Sequence, residues 1–210
     1  MFVKTPLLLC KSHSSFLFLR FSLTLLGQFL EDMEAYSDEL KCNSMTSINK
    51  LQSDAPSPHN ALPKLTALTR VFTTVVSGLA EYFSPGREPK ITPNYINDTV
   101  NRIITCVDIC EYGFKFEQLL LAANDCLRAL LVNLGSNISA SCMSIIQFIN
   151  NQLLCKHNIT LTLLRSAIKL MEKIVSVVGY SLPVDVVPHL IGEVCDLFYF
   201  CVWIDDFSIA

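Results

Sequence analysis

The sequence predicts an all-α protein built from antiparallel helix pairs that stack as a short solenoid, with a closed helical bundle as the alternative. Its strong apolar segments have a period of 3.6 residues, and none alternates with a period of two over a sustained run. The segments are joined by short polar or glycine-containing stretches, so successive helices must turn back on one another. Charged residues make up 17% of the 210-residue chain, below the usual quarter. We therefore expect much of the surface to be buried against something else.

Residues 116–178 carry the pattern most clearly, as three successive amphipathic helices. We expect Gly135 to end the first of them, because glycine adopts the left-handed conformation of a C-terminal cap. Ser136 and Asn137 are candidate N-caps of the second helix. The third is expected to begin near Asn158 and to end at Gly179. Five residues are predicted to lie in the core: Leu120, Leu127, Ile145, Leu164 and Ile168.

The first 35 residues form an apolar, basic segment that has no acidic residue before Glu31. Three interpretations remain open. A basic, serine-containing and acid-free start is typical of an organellar transit peptide. A secretory signal fits less well, since Lys11 and Arg20 interrupt the apolar run. The segment is otherwise another helix of the solenoid.

The rest of the chain divides into three further regions. Residues 36–62 are polar and interrupted by proline, and this composition predicts a linker or long loop. Residues 63–204 form the predicted helical-repeat domain, in which Pro63 fits a first helical turn and the last helix begins near Pro183. Residues 205–210 are a short tail. No segment is a convincing membrane span, because the longest uncharged stretch is broken by Gly135 and by asparagines.

The helices recur as pairs. Asn94 and Asn137 open equivalent first helices about 43 residues apart, and Phe116 and Asn158 open equivalent second helices about 42 apart. Two second helices carry an aliphatic-arginine stretch, Leu-Arg-Ala-Leu at 127–130 and Leu-Arg-Ser-Ala-Ile at 164–168. On these residues, 94–204 resembles a HEAT or armadillo-type α-solenoid. The resemblance lacks the aspartate that often pairs with the arginine, and the proline of the first helix is also missing.

That resemblance implies a protein-binding scaffold with an extended concave surface. It also suggests that Arg128 and Arg165 make contacts between repeats, although both can equally be exposed helix residues. An organelle-targeted helical assembly factor or enzyme is the alternative function, and it rests on the acid-free N-terminal segment.

Nine cysteines in irregular spacing are typical of buried thiols in a reducing compartment. Three Asn-x-Ser/Thr sequons, at Asn97, Asn137 and Asn158, lie near predicted helix starts, where such residues serve as caps. We therefore expect an intracellular protein, cytoplasmic or nuclear, with a mitochondrial location as the alternative.

No recognised catalytic or phosphate-binding motif occurs in the sequence, which has only seven glycines, none of them clustered. The four histidines are scattered over different segments. Cys106 and Cys110 share a helix face, but no further metal ligands are near them in sequence. We accordingly predict a non-enzyme with no cofactor and no metal. The net charge of −3 gives no case for nucleic acid, so the expected partners are other proteins or the rest of a longer solenoid.

The run from Leu197 to Ile204 is apolar without interruption, so its side chains point in every direction around a helix. A single packed face can cover only part of that ring. We predict an open apolar end here, with Phe198, Phe200 and Trp203 as the candidate interaction surface. This end also suggests a fragment or isoform of a larger helical-repeat protein.

Overall fold

The computed structural model describes residues 6–49, 61–79, 92–108, 116–154 and 160–179, together with the single residues Pro188 and Gly192. Six α-helices lie in these ranges: α1 (Pro6–Asn49), α2 (Ala61–Gly78), α3 (Pro93–Val107), α4 (Glu117–Leu134), α5 (Cys142–Leu154) and α6 (Leu161–Val178). A 3₁₀ helix, Gly135–Ser141, leads directly into α5. The described ranges contain no strand. The predicted all-α fold is confirmed.

The helices form three pairs that stack in two layers. The first helices of the pairs lie side by side, with α3 between α1 and the segment made of the 3₁₀ helix and α5. The second helices, α2, α4 and α6, make the other layer, and α4 is packed between its two neighbours. One apolar core runs through all three pairs. Helix pairs that contact mainly their neighbours are the arrangement of a solenoid.

Helix α1 is longer than the sequence analysis predicted, and it extends past residue 36, where the polar linker was expected to begin. Its buried residues recur every three or four positions and include Leu26, Leu30 and Met33. Ser37 and Leu40 continue that buried face. Polar residues on the outward side of α1 obscure its apolar periodicity after residue 36, because only the inward side has to be apolar. Residues 50–60 of the predicted linker lie outside the described residues.

The ends of the helices agree with the sequence in some places and differ in others. Gly135 ends α4 with a φ of 55°, a conformation that favours glycine. Gly179 follows α6 but has a φ of −51°, so it does not make a left-handed cap. The threonine hydroxyls of Thr92 and Thr160 cap α3 and α6 by accepting hydrogen bonds from Tyr95 N and Leu163 N. Asn137 is exposed within the 3₁₀ helix, and no side chain caps the start of that helix.

Four of the five predicted core residues are buried: Leu120, Leu127, Ile145 and Leu164. Ile168 is the exception, since 37% of its surface is exposed. The apolar stripe of α6 is wider than the face that its described neighbours cover. Leu161 and Val175 are exposed for the same reason.

Several predictions fall on residues outside the described ranges. These include the last helix near 183–204 and the candidate interaction surface of Phe198, Phe200 and Trp203. Among the described helices, none is both long enough and apolar enough to cross a membrane.

Candidate interaction surface

Three hydrogen bonds join residues of successive helix pairs at nearly constant sequence separation. Ser141 Oγ donates to Asn97 Oδ1 at 2.6 Å across 44 residues. Asn151 Nδ2 donates to Asp108 Oδ2 at 2.9 Å across 43 residues. The Thr160 hydroxyl donates to the Glu117 carboxylate, also across 43 residues. All three bonds join the second helix pair to the third, so equivalent positions of these two pairs lie next to one another at the separation predicted from the sequence.

A buried amide pair supports the same stacking. Asn124 on α4 and Gln152 on α5 each donate to the other's carbonyl oxygen, at 3.2 and 3.1 Å. Each residue has only 1% of its surface exposed. Because both amides are satisfied reciprocally, the pair avoids the cost of burying an unpaired polar group. It also fixes how the third helix pair sits on the second.

Helix α1 is held to α3 by a bidentate ion pair. Arg102 donates from Nε and Nη2 to the two carboxylate oxygens of Glu34, at 2.7 and 2.9 Å. The hydrogen bonds from Arg102 lower the pKa of Glu34 below its usual value, although partial burial opposes this effect. Nearby, Lys41 Nζ donates to the carbonyl of Thr105 at 3.2 Å. The first and second helix pairs are thus joined by charge-assisted hydrogen bonds as well as by the core.

A groove runs across the layer of second helices. Its lining residues are mostly polar and come from all three of these helices: Thr73, Ser77, Asp125, Arg128, Ala129, Val132, Asn133 and Lys173. Asn133 Nδ2 donates to the carbonyl of Val76 at 3.3 Å, which ties α4 to α2 beneath the groove. The groove presents two cationic side chains, one carboxylate and an exposed valine. That mixture suits a polypeptide with both polar and apolar groups.

The two arginines singled out by the sequence lie in different surroundings. Arg128 lines the groove and pairs with Asp125 on its own helix at 2.8 Å. This contact is within one helix, three residues apart, rather than between repeats. Arg165 is exposed on α6. The structure therefore brings Arg128 to the candidate surface and leaves Arg165 on an outer face.

Cys106, Cys126 and Cys142 are buried free thiols. Burial raises the pKa of Cys106 to about 11, of Cys126 to about 12 and of Cys142 to about 11. These three thiols stay protonated at neutral pH, and a protonated thiol is a poor nucleophile and metal ligand. Cys42 is exposed on α1. The sequence prediction that cysteines on apolar faces act as buried packing groups is correct for these three.

The chain is similar to part of a much longer protein. The serine/threonine-protein kinase SMG1 of zebrafish (Danio rerio) is 40% identical to this chain over 177 residues. The chain is similar to one segment of that kinase. The aligned stretch covers 83% of the chain but only 5% of the kinase, so the chain spans a small fraction of its relative's length. No protein-family model matches the chain, and no solved structure matches it.

Sequence reasoning missed the polar residues that join the helix pairs. Asn97 was considered as part of a sequon at a helix start, yet it lies inside α3 and bonds Ser141. Thr160, in the third sequon, is the N-cap of α6 and the partner of Glu117. A search for polar residues at the 43–44-residue period could have found these pairs. Neither helical periodicity nor known motifs would have indicated them.

Proposed function

We propose that this chain is a non-catalytic, protein-binding scaffold of HEAT or armadillo type and a segment of a larger helical-repeat protein. The observation that carries the proposal is the stack of three helix pairs, the second and third of which are joined by hydrogen bonds at a nearly constant separation of 43–44 residues. Stacked pairs of this kind provide a continuous surface and need no chemistry of their own. The high identity to a short segment of a much longer kinase supports the larger protein.

The binding face is the groove across α2, α4 and α6. Arg128 and Lys173 stand on two different second helices, so a bound polypeptide would contact more than one repeat. Val132 is 55% exposed in the same groove and offers an apolar contact between the charges. An extended segment of another protein fits these features, because such segments combine apolar anchors with a polar rim.

Catalysis is assigned to other parts of the relative. The kinase activity in the zebrafish protein's name belongs to a chain of which 5% is matched here. This sequence has no clustered glycines that could cradle a phosphate. The buried thiols, with their raised pKa values, are packing groups rather than nucleophiles. Free thiols also support the intracellular location expected from the sequence.

The test is quantitative affinity capture from cell extract with the 210-residue chain and two variants. The groove variant carries Arg128→Ala and Lys173→Ala. The matched control carries Arg20→Ala, an exposed arginine of α1 far along the chain from the groove. We expect the unmodified chain to capture a defined set of proteins. Their capture should fall about tenfold with the groove variant, because one or two anchor residues of the interface are lost. It should be unchanged with the control. No protein enriched above background, or equal capture by all three chains, would contradict the proposal.

A further inference from the structure

Helix α6 has an exposed apolar stripe with regular spacing. Leu161, Ile168 and Val175 are 43%, 37% and 51% exposed, and they follow one another at intervals of seven residues. Seven residues are close to two turns of helix, so the three side chains form one line along α6. Three large aliphatic residues aligned on one helix are an unusual surface, since most other aliphatic residues in the described ranges are buried.

The equivalent face of α4 shows what such a stripe packs against. Counting back 44 residues, Leu161, Ile168 and Val175 correspond to Glu117, Asn124 and Leu131. On α4 this face is covered by the following helix pair. Asn124 and Leu131 are 1% and 0% exposed, and Glu117 accepts a hydrogen bond from Thr160. The stripe on α6 is therefore the side of a second helix that receives another helix.

The stripe is self-complementary in both shape and charge. Ile168 lies midway between Leu161 and Val175. In an antiparallel pair centred on Ile168, Leu161 of each copy therefore lies against Val175 of the other. Arg165 and Glu172 lie on the same flank of the stripe, three residues before Ile168 and four residues after it. In the antiparallel pair, Arg165 of each copy comes beside Glu172 of the other. Two such ion pairs fix both the direction and the register of the helices.

We propose that α6 is a dimerisation helix, and that a second copy of this chain packs antiparallel on Leu161, Ile168 and Val175 about a two-fold axis at Ile168. The interface is isologous, as in most symmetric dimers. One helix from each copy makes a small contact, so the association is concentration-dependent rather than obligate. This inference does not depend on the scaffold function, because it concerns a different surface from the groove.

Sedimentation equilibrium of the 210-residue chain tests the dimer. We expect the unmodified chain to dimerise as its concentration rises, and Ile168→Asp to weaken dimerisation at least about tenfold, since the aspartate would be buried at the two-fold axis. Val71→Asp is the matched control, because Val71 is an exposed aliphatic residue on α2 that lines neither the stripe nor the groove. Circular dichroism should show that both variants keep their helix content. A monomer at all concentrations, or equal association of all three chains, would overturn the proposal.

Charge reversal provides the sharper test, since other apolar parts of the chain could also associate. Arg165→Glu should weaken the dimer by placing like charges together, and adding Glu172→Arg to the same chain should restore it. Ile168→Cys should form a disulfide-linked dimer under mild oxidation, in preference to Val71→Cys. Failure of the double reversal to restore association, together with equal cross-linking at the two positions, would show that the copies do not meet through α6.

Discussion

The side chain of Asn97 accepts a 2.6 Å hydrogen bond from the hydroxyl of Ser141, a residue 44 positions later in the chain. Asn97 is on α3 and Ser141 ends the 3₁₀ helix that leads into α5. The bond thus joins the first helices of two adjacent pairs. It is one of three hydrogen bonds that join the second and third helix pairs at separations of 43–44 residues, and all three fit one alignment of these pairs.

Removing this bond should lower stability measurably. We expect Asn97→Ala and Ser141→Ala each to reduce the free energy of unfolding by about 1–2 kcal/mol. Asn97→Ala leaves the buried Ser141 hydroxyl without its partner, and Ser141→Ala leaves the Asn97 side chain without its donor. A double-mutant cycle should give a coupling energy of about 0.5–1.5 kcal/mol. Asn101→Ala is the control, since Asn101 is exposed on the same helix. Additive effects of the two substitutions would show that the bond is not formed in solution.

Core truncations should separate buried from exposed positions of α6. Leu164→Ala, at a residue with 0% exposure, should cost about 2–5 kcal/mol, as should Leu127→Ala. Ile168→Ala should cost less than about 1 kcal/mol in the monomer, because Ile168 is 37% exposed. Urea denaturation at low protein concentration measures all three. A loss at Ile168 as large as the loss at Leu164 would mean that this stripe is covered within the monomer.

The Glu34–Arg102 pair should make stability depend on pH. The pKa of Glu34 is lowered in the folded chain, so the pair stabilises the fold above the ordinary glutamate pKa of 4.5 and loses that effect as the pH falls through the folded value. Both side chains are partly exposed, which limits the contribution to about 0.5–1 kcal/mol.

The comparison is between the unmodified chain and Glu34→Gln. We expect the difference in their unfolding free energies to be greatest at pH 6–7 and to shrink below pH 4.5. Asp32→Asn serves as the control for removing an acid from the same helix. A difference that stays constant down to pH 3 would argue against the ion pair.

The cysteines should differ in reactivity according to burial. Cys42 is exposed, whereas Cys106, Cys126 and Cys142 are buried and have raised pKa values. At pH 7.5 an alkylating reagent should modify Cys42 first, and the other three only after unfolding. Peptide mapping by mass spectrometry resolves these positions. Rapid labelling of Cys126 in the folded chain would contradict the packing of α4.

The sequence predicts the fold class and the spacing of the second and third helix pairs, because both follow from apolar periodicity. Leu127 and Leu164 are buried as expected, since each lies at the centre of its stripe. The start of the linker at residue 36 is wrong, because polar residues such as Asp38 and Glu39 occupy the outer face of a helix whose inner face remains packed. Apolar periodicity indicates a helix only where the buried face is wide enough to include several apolar residues, and in this part of α1 the buried face is narrow.

The candidate surface was less predictable. Arg128 was identified from a short motif, and its ion pair with Asp125 on the same helix depends on local geometry that the motif does not specify. The groove combines residues of α2, α4 and α6 that are up to 100 residues apart in sequence. Which exposed side chains meet across such a distance is decided by the packing of the layer, and no single segment contains that information.

The length of α1 has a mechanical consequence. Its 44 residues extend about 66 Å at 1.5 Å per residue, whereas the 18 residues of α2 extend about 27 Å. Both α2 and α3 pack against the middle of this long helix: Lys64 of α2 lies over the Tyr36 ring, and Arg102 of α3 pairs with Glu34. Because one helix packs against both of the first two pairs, we expect those pairs to unfold together rather than one at a time.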